Sequence, residues 1–194
     1  MGKVKGRSTA KVRRRLEKAL RRQSLLRIHR GYRKAGDLEG FVVGLGREWV
    51  LLALLGDGVH LNGHVALRLA GLSTVTTNRK PGSFIHRALQ ARGEWPPEAV
   101  DVDLDSAAGV VRSAALLQPL VTLHIEAIDA GVAFIGRPVK VGRRRVHLLE
   151  VDPEAEWWPV PTTWRLDDLT RVDFGGDYEE ALTLIAGPPP DPQR

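Results

Sequence analysis

LRLAGLSTV at 67–75 and WRLDDLTRV at 164–172 read as two versions of one segment, with Arg68 against Arg165, Leu69 against Leu166, Leu72 against Leu169 and Val75 against Val172. Working outward, the match extends in the same order along both halves of the chain. LLRIH (25–29) pairs with LVTLH (120–124), which sets His29 against His124. FVVG (41–44) pairs with AFIG (133–136), and WVLLALL (49–55) with RVHLLEV (145–151). Phe84 and the helix it opens pair with Tyr178 and its helix, and the amphipathic stretch 10–23 pairs with 106–117. The offset stays between 92 (Phe41 to Ala133) and 97 (Leu67 to Trp164), so the halves differ only in loop length.

Each half therefore predicts one helix, about five short strands and a short closing helix. In the first helix Val12, Leu16, Ala19 and Leu20 recur at helical spacing on an otherwise cationic surface. In the second, Val110, Ala114 and Leu117 do the same, Asp105 or Ser106 supplies the cap and Pro119 the stop. Short, closely spaced strands close readily into small barrels, because closure removes exposed edges. The expected fold is mainly β with flanking helices: two tandem SH3/Sm-like small barrels forming a pseudo-dimer. The expected divisions are a basic disordered arm (1–10), a first unit (11–92), an acidic, proline-containing linker (93–105), a second unit (106–186) and a proline-rich disordered tail (187–194).

A helix followed by a bent five-stranded barrel resembles the Sm/LSm-like branch of the SH3-like barrels, over about residues 11–186. FVVGLGREWVLLALLGDG (41–58) and LTRVDFGGDYEEAL (169–182) also resemble a group of uncharacterised bacterial proteins with two such units. The Sm-like resemblance implies RNA binding. Gly44 and Gly136 fit the glycine of the first Sm motif. The Asp-x-x-x-Asn triplet of that motif is absent, and Arg68-Leu69 and Arg165-Leu166 stand where the second motif has Arg-Gly. No base-reading residue is assigned on that basis.

The 194 residues hold 29 Lys+Arg and 23 Asp+Glu, a net charge of +6, but the charge is unevenly divided. Residues 1–36 carry 14 Lys/Arg and one acid, Glu17, giving +13; residues 37–194 carry 15 Lys/Arg and 22 acids, giving −7. The candidate nucleic-acid contacts are accordingly Lys3, Lys5, Arg7, Lys11, Arg13, Arg14, Arg15, Lys18, Arg21 and Arg22. The same charge density would also suit docking on the acidic remainder of the chain, an acidic partner or a membrane surface. The arm has no interleaved aromatics, so base stacking is not expected of it. Arg143, Arg144 and Arg145 sit at an expected hairpin tip, with Arg79 and Lys80 in a comparable loop of the first half. Trp157 and Trp158, between prolines near Trp164, are candidates for a partner platform or for core.

No catalytic constellation stands out. There is no cysteine, which removes thiol chemistry, thiolate metal sites and disulfides and leans toward a reducing compartment. GLG (44–46) is followed by neither Lys-Ser nor Lys-Thr, so it is not a phosphate loop. His60 and His64 flank an Asn-Gly turn signal rather than a helix turn. Asp167, Asp168, Asp173, Asp177, Glu179 and Glu180 are close in sequence, but the last three are accounted for as helix N-terminal acids. No apolar run reaches the ~18 residues of a membrane span. The expectation is a non-enzymatic, cytoplasmic RNA-associated module without cofactor or metal, with RNA or a ribonucleoprotein as partner. The alternative is a protein-interaction or assembly module. Oligomeric state is left open.

Overall fold

The computed structural model describes residues 3–77 and 82–190, with side chains from residue 9 onward; Arg79 and Lys80 lie outside the described residues. The chain opens with α1 (Lys3–Arg22). Val12, Leu16 and Ala19 form its inward stripe and are buried. Gln23 adopts a left-handed conformation at φ 47° and breaks the helix. Five strands follow: β1 (Leu25–Arg30), β2 (Leu38–Leu45), β3 (Trp49–Leu55), β4 (Leu61–Arg68) and β5 (Leu72–Thr77), with a 3-10 turn at Leu69–Gly71. Next come α2 (Phe84–Arg92) and α3 (Ala107–Leu117), the latter capped by Ser106, whose hydroxyl accepts from Gly109 N at 3.0 Å. The second set is β6 (Val121–His124), β7 (Ala133–Val141), β8 (Arg145–Glu150), β9 (Thr162–Arg165) and β10 (Arg171–Phe174), with a 3-10 turn at Leu166–Asp168 and a closing α4 (Asp177–Ala186).

The strands form one ten-stranded antiparallel sheet in the order β5-β1-β2-β3-β4-β10-β6-β7-β8-β9. This corrects the expectation of two small closed barrels. β4 does not close on its own half; it pairs with β10, setting Arg171 opposite Leu67 and Phe174 opposite His64. The mainly β character with flanking helices stands. Short strand spacing argues for many strands, but it does not say which edges meet. That pairing joins residues more than a hundred positions apart, and no local pattern reports it.

Within this one sheet the two halves run in the same strand order and in matching register. Ile28 faces Val75 as Leu123 faces Val172, and Trp49 faces Arg68 as Arg145 faces Arg165. One matched pair shifts. Gly136 occupies the place of Gly40, not of Gly44, since Gly40 faces Leu54 and Gly136 faces Glu150. Both glycines are required by close approach: a Cβ would strike the carbonyl oxygen of Ala53 in one case and of Leu149 in the other.

β3 is shared by the two main core clusters. Its residues Trp49–Ala53 are all buried. Val50 and Leu52 face α1 with Leu16, Ile28 and Val75, while Trp49 and Leu51 face the second half with Val110, Leu123 and Val172. An uninterrupted apolar strand is what burial on both faces demands. Segment 93–105 runs across this junction: Leu104 is buried, and its carbonyl accepts from Trp49 N at 3.0 Å.

Candidate nucleic-acid interface

At 100° per residue, Lys11, Arg14, Arg15, Lys18, Arg21 and Arg22 all fall within an arc of about 120° on α1, opposite the buried stripe of Val12, Leu16 and Ala19. All six are exposed. They span about 16 Å of helix axis at 1.5 Å per residue, or one cation per roughly 3 Å. A nucleic-acid strand carries one phosphate per about 3.4 Å in a duplex. Arg15 is partly committed, since its Nη1 donates to Val75 O at 2.7 Å. Among the described residues no ion pair engages Lys11, Arg14, Lys18, Arg21 or Arg22; the helix's one acid, Glu17, pairs with Arg13 at 3.4 Å. Arg13 turns inward and donates to Gly46 O at 3.0 Å, so it anchors α1 instead of joining the outer face. Lys3, Lys5 and Arg7 belong to the first turns of α1, and their side chains are outside the described residues.

Beside the N-terminal half of α1 lies a cleft of about 810 Å³ lined by Arg13, Tyr32, Arg47, Glu48, Arg68 and the Leu69–Gly71 turn, among others. Arg68 stacks 5.2 Å over the Trp49 ring and donates through Nη2 to Leu166 O at 2.9 Å, while its buried Nε has no partner. Arg47 pairs with Asp105 at 3.1 Å. Burial pushes the Tyr32 hydroxyl above its ordinary pKa.

The other sequence candidates lie elsewhere. Arg143, Arg144 and Arg145 are exposed at the β7–β8 turn, where Arg144, Arg145, Arg165 and Asp167 line a shallow hollow. Four strands separate β7 from β2, on which α1 rests, so the tip is not an extension of the helix face by sheet order. The three tryptophans do not form one platform. Trp157 packs with Leu120, Val151 and Leu182, and its Nε1 donates to Ala186 O at 3.2 Å. Trp164 packs on Phe134 with ring centroids 3.8 Å apart. Only Trp158 of this group is exposed, at 46%. The acids of 167–180 are dispersed among separate partners: Arg165 for Asp167 and Asp168, Arg171 for Asp173, His60 for Asp177 and Thr122 for Glu179. Among the described residues no group of three His, Asp or Glu could hold a metal.

Pattern reading misses a buried polar cluster that ties the halves together. Arg30 and Glu126 are 3% and 5% exposed and form an ion pair through Nη1 and Oε1. Arg30 Nη2 also donates to Gly36 O at 2.6 Å, and Glu126 N donates to Thr170 Oγ1 at 3.0 Å. Burial lowers the Arg30 pKa, against the opposing pull of Glu126. Nearby, Arg171 grips Asp173, and His124 Nε2 stands 3.4 Å from Asp173 Oδ2. Burial works to raise the Asp173 pKa, but His124 and Arg171 outweigh it and hold it below the usual value. The signal lay in the alternation: in LLRIHR the inward positions are Leu26, Ile28 and Arg30, with Arg27 and His29 turned outward.

No helix among the described residues is long and apolar enough to cross a membrane. Compared with known proteins, the chain matches no family model, no curated protein and no solved structure.

Proposed function

We propose that this protein is a non-enzymatic, cytoplasmic RNA-binding module that holds the phosphate backbone on the outer face of α1. One observation carries the reading: six exposed cations share a single helix arc, and the opposite stripe of the same helix is fixed into the core. The charges are thus presented on a rigid support at a spacing near that of phosphates, and among the described residues none of the six is paired with an acid. The dense charge of this helix does not discriminate bases, so binding is expected to be strong at low salt and weakly sequence-dependent.

The test is a fluorescence titration of the full chain with a mixed single-stranded RNA at several salt concentrations, beside the variant Arg14→Gln/Lys18→Gln/Arg21→Gln. Glutamine keeps helix propensity close to that of Arg and Lys, so α1 stays formed. At about 0.7 per phosphate contact on single strands, the log–log salt slope should flatten by about 2 units. Unchanged affinity and slope in the variant, or no RNA binding by the wild type at low salt, would reject this face as the ligand site. The latter result would favour the protein-interaction reading, in which Trp158 is one of the exposed aromatics.

A further inference from the structure

We infer that the outer face of α4 is a homodimer interface, on which a second copy of this chain packs its own α4 antiparallel about Ala181. Three observations support this. First, α4 leaves apolar side chains in water along one side: Tyr178 is 53% exposed, Leu184 81% and Ile185 73%, with Ala181 exposed between them. At 100° per residue these four occupy an arc of about 120°, next to the core-facing Leu182. The band continues past Leu184 across a small cleft to Pro119, beside the exposed Leu116 and Leu117 at the end of α3. Together these side chains present on the order of 500 Å² of apolar surface, the upper range for the largest patch on a monomer. With flanking contacts this approaches the ~800 Å² that each partner of a standard interface buries.

Second, the fold does not require this exposure. α2 holds the corresponding place in the first half, following β5 as α4 follows β10. Phe84 of α2 corresponds to Tyr178. At that offset, Ala181, Leu184 and Ile185 of α4 correspond to Arg87, Gln90 and Ala91 of α2, which are exposed and mostly polar. Both helices expose the aromatic that opens them, but only α4 continues the apolar face, through Leu184 and Ile185.

Third, the α4 face complements itself. With a two-fold axis at Ala181, the small side chain sits where the helices cross. Tyr178 of one copy then lies against Leu184 and Ile185 of the other, and the same contact recurs across the axis, as an isologous interface requires. Asp177, Glu179 and Glu180 crowd the first turn of α4. Antiparallel packing sets each acidic turn beside the partner's uncharged C-terminal turn, whereas a parallel arrangement would stack acid on acid.

Sedimentation equilibrium of the full chain is expected to give twice the chain mass, and Ile185→Glu or Ala181→Arg is expected to give a monomer with an unchanged far-UV circular-dichroism spectrum and a melting temperature that, unlike that of the wild type, does not depend on protein concentration. Arginine is already borne at the corresponding position of α2, so the fold tolerates it. A wild type that stays monomeric at hundreds of micromolar, or dimers that survive both substitutions, would overturn the inference. Oxidative cross-linking gives a second readout, because the chain has no cysteine of its own. Helix axes 8–10 Å apart, less two Cα radii of 2.3 Å, leave about 3.5–5.5 Å between the two residue-181 Cα atoms. That range overlaps disulfide reach. Ala181→Cys is expected to form a covalent dimer on oxidation with diamide, while Gln90→Cys on α2 stays monomeric. Equal cross-linking at the two positions, or none at 181, would count against the interface.

Discussion

Removing one partner of the Arg30–Glu126 pair tests whether the two halves are one cooperative unit. Both side chains are almost entirely out of water, at 4% and 3% side-chain exposure. Arg30→Met leaves Glu126 as a buried charge with Thr170 as its remaining hydrogen-bond donor, and strips Gly36 O of its 2.6 Å donor. Breaking a buried pair from one side costs about 3–5 kcal/mol. For a chain of this length each kcal/mol corresponds to about 2–4 °C, so the melting temperature should fall by roughly 6–20 °C. Glu126→Met should cost a similar amount. The double variant Arg30→Met/Glu126→Met removes both charges and fills the space with apolar atoms. It should recover most of the loss, leaving about 1–2 kcal/mol for the backbone carbonyl and the hydroxyl that lose partners. Urea unfolding of the four proteins, followed by tryptophan fluorescence and far-UV circular dichroism together, yields the coupling energy. Single variants costing under about 1 kcal/mol would show a pair behaving as if solvated. A double variant whose cost equals the sum of the singles would show no coupling. Either result refutes the argument that this pair locks the halves.

Two further expectations concern acid and light. His64 lies against Phe174, and burial lowers its pKa despite a hydrogen bond to the Glu98 backbone. Below pH ~6.5 the unfolded chain therefore takes a proton that the native state refuses, and stability falls on acidification. The depressed Asp173 carboxyl adds stability that is present above its unfolded pKa of about 3.9 and is lost as pH falls through the lower native value. Urea midpoints should thus drop in two stages from neutral pH, His64→Gln removing the upper one and Asp173→Asn the lower; midpoints that rise with acid would contradict both signs. In iodide quenching, Trp158→Phe should remove the most accessible component of the emission, since Trp158 is 46% exposed while Trp95, Trp157 and Trp164 are only partly exposed and Trp49 is fully buried. Quenching unchanged by that substitution would mean that the 153–161 loop packs differently.

Most elements were legible because their causes are local. WVLLALL announces a strand, Ser106 and Pro119 delimit α3, and the matched segments set the register of one half against the other. What was not legible is what depends on distant pairing. FVVG and AFIG look alike as strings, yet Gly136 takes the place of Gly40, because the constraint is a facing carbonyl and not the order of letters. The two-barrel expectation failed for a related reason: the free edge of β4 is satisfied by β10, a partner that only the folded chain supplies. At the proposed site, the sequence showed that α1 is cationic, but only the docked helix separates Arg13, turned inward to Gly46, from Arg14, Lys18 and Arg21, turned outward.

That separation decides how the RNA reading has to be tested. Leu16 of α1 and Leu25, Leu26 and Ile28 of β1 are fully or almost fully buried, and truncating even one such side chain to alanine costs about 2–5 kcal/mol. β1 also sits between β5 and β2 in the sheet, and it carries Arg30 to Glu126. A chain starting at residue 37 would lose all of these together, more than the 5–15 kcal/mol that holds an ordinary domain. Its failure to bind RNA would report unfolding and nothing else. The outward cations of α1 can be neutralised one by one while the inward stripe stays whole. Surface substitution on α1 therefore removes positive charge at the proposed site and leaves the core that positions it untouched.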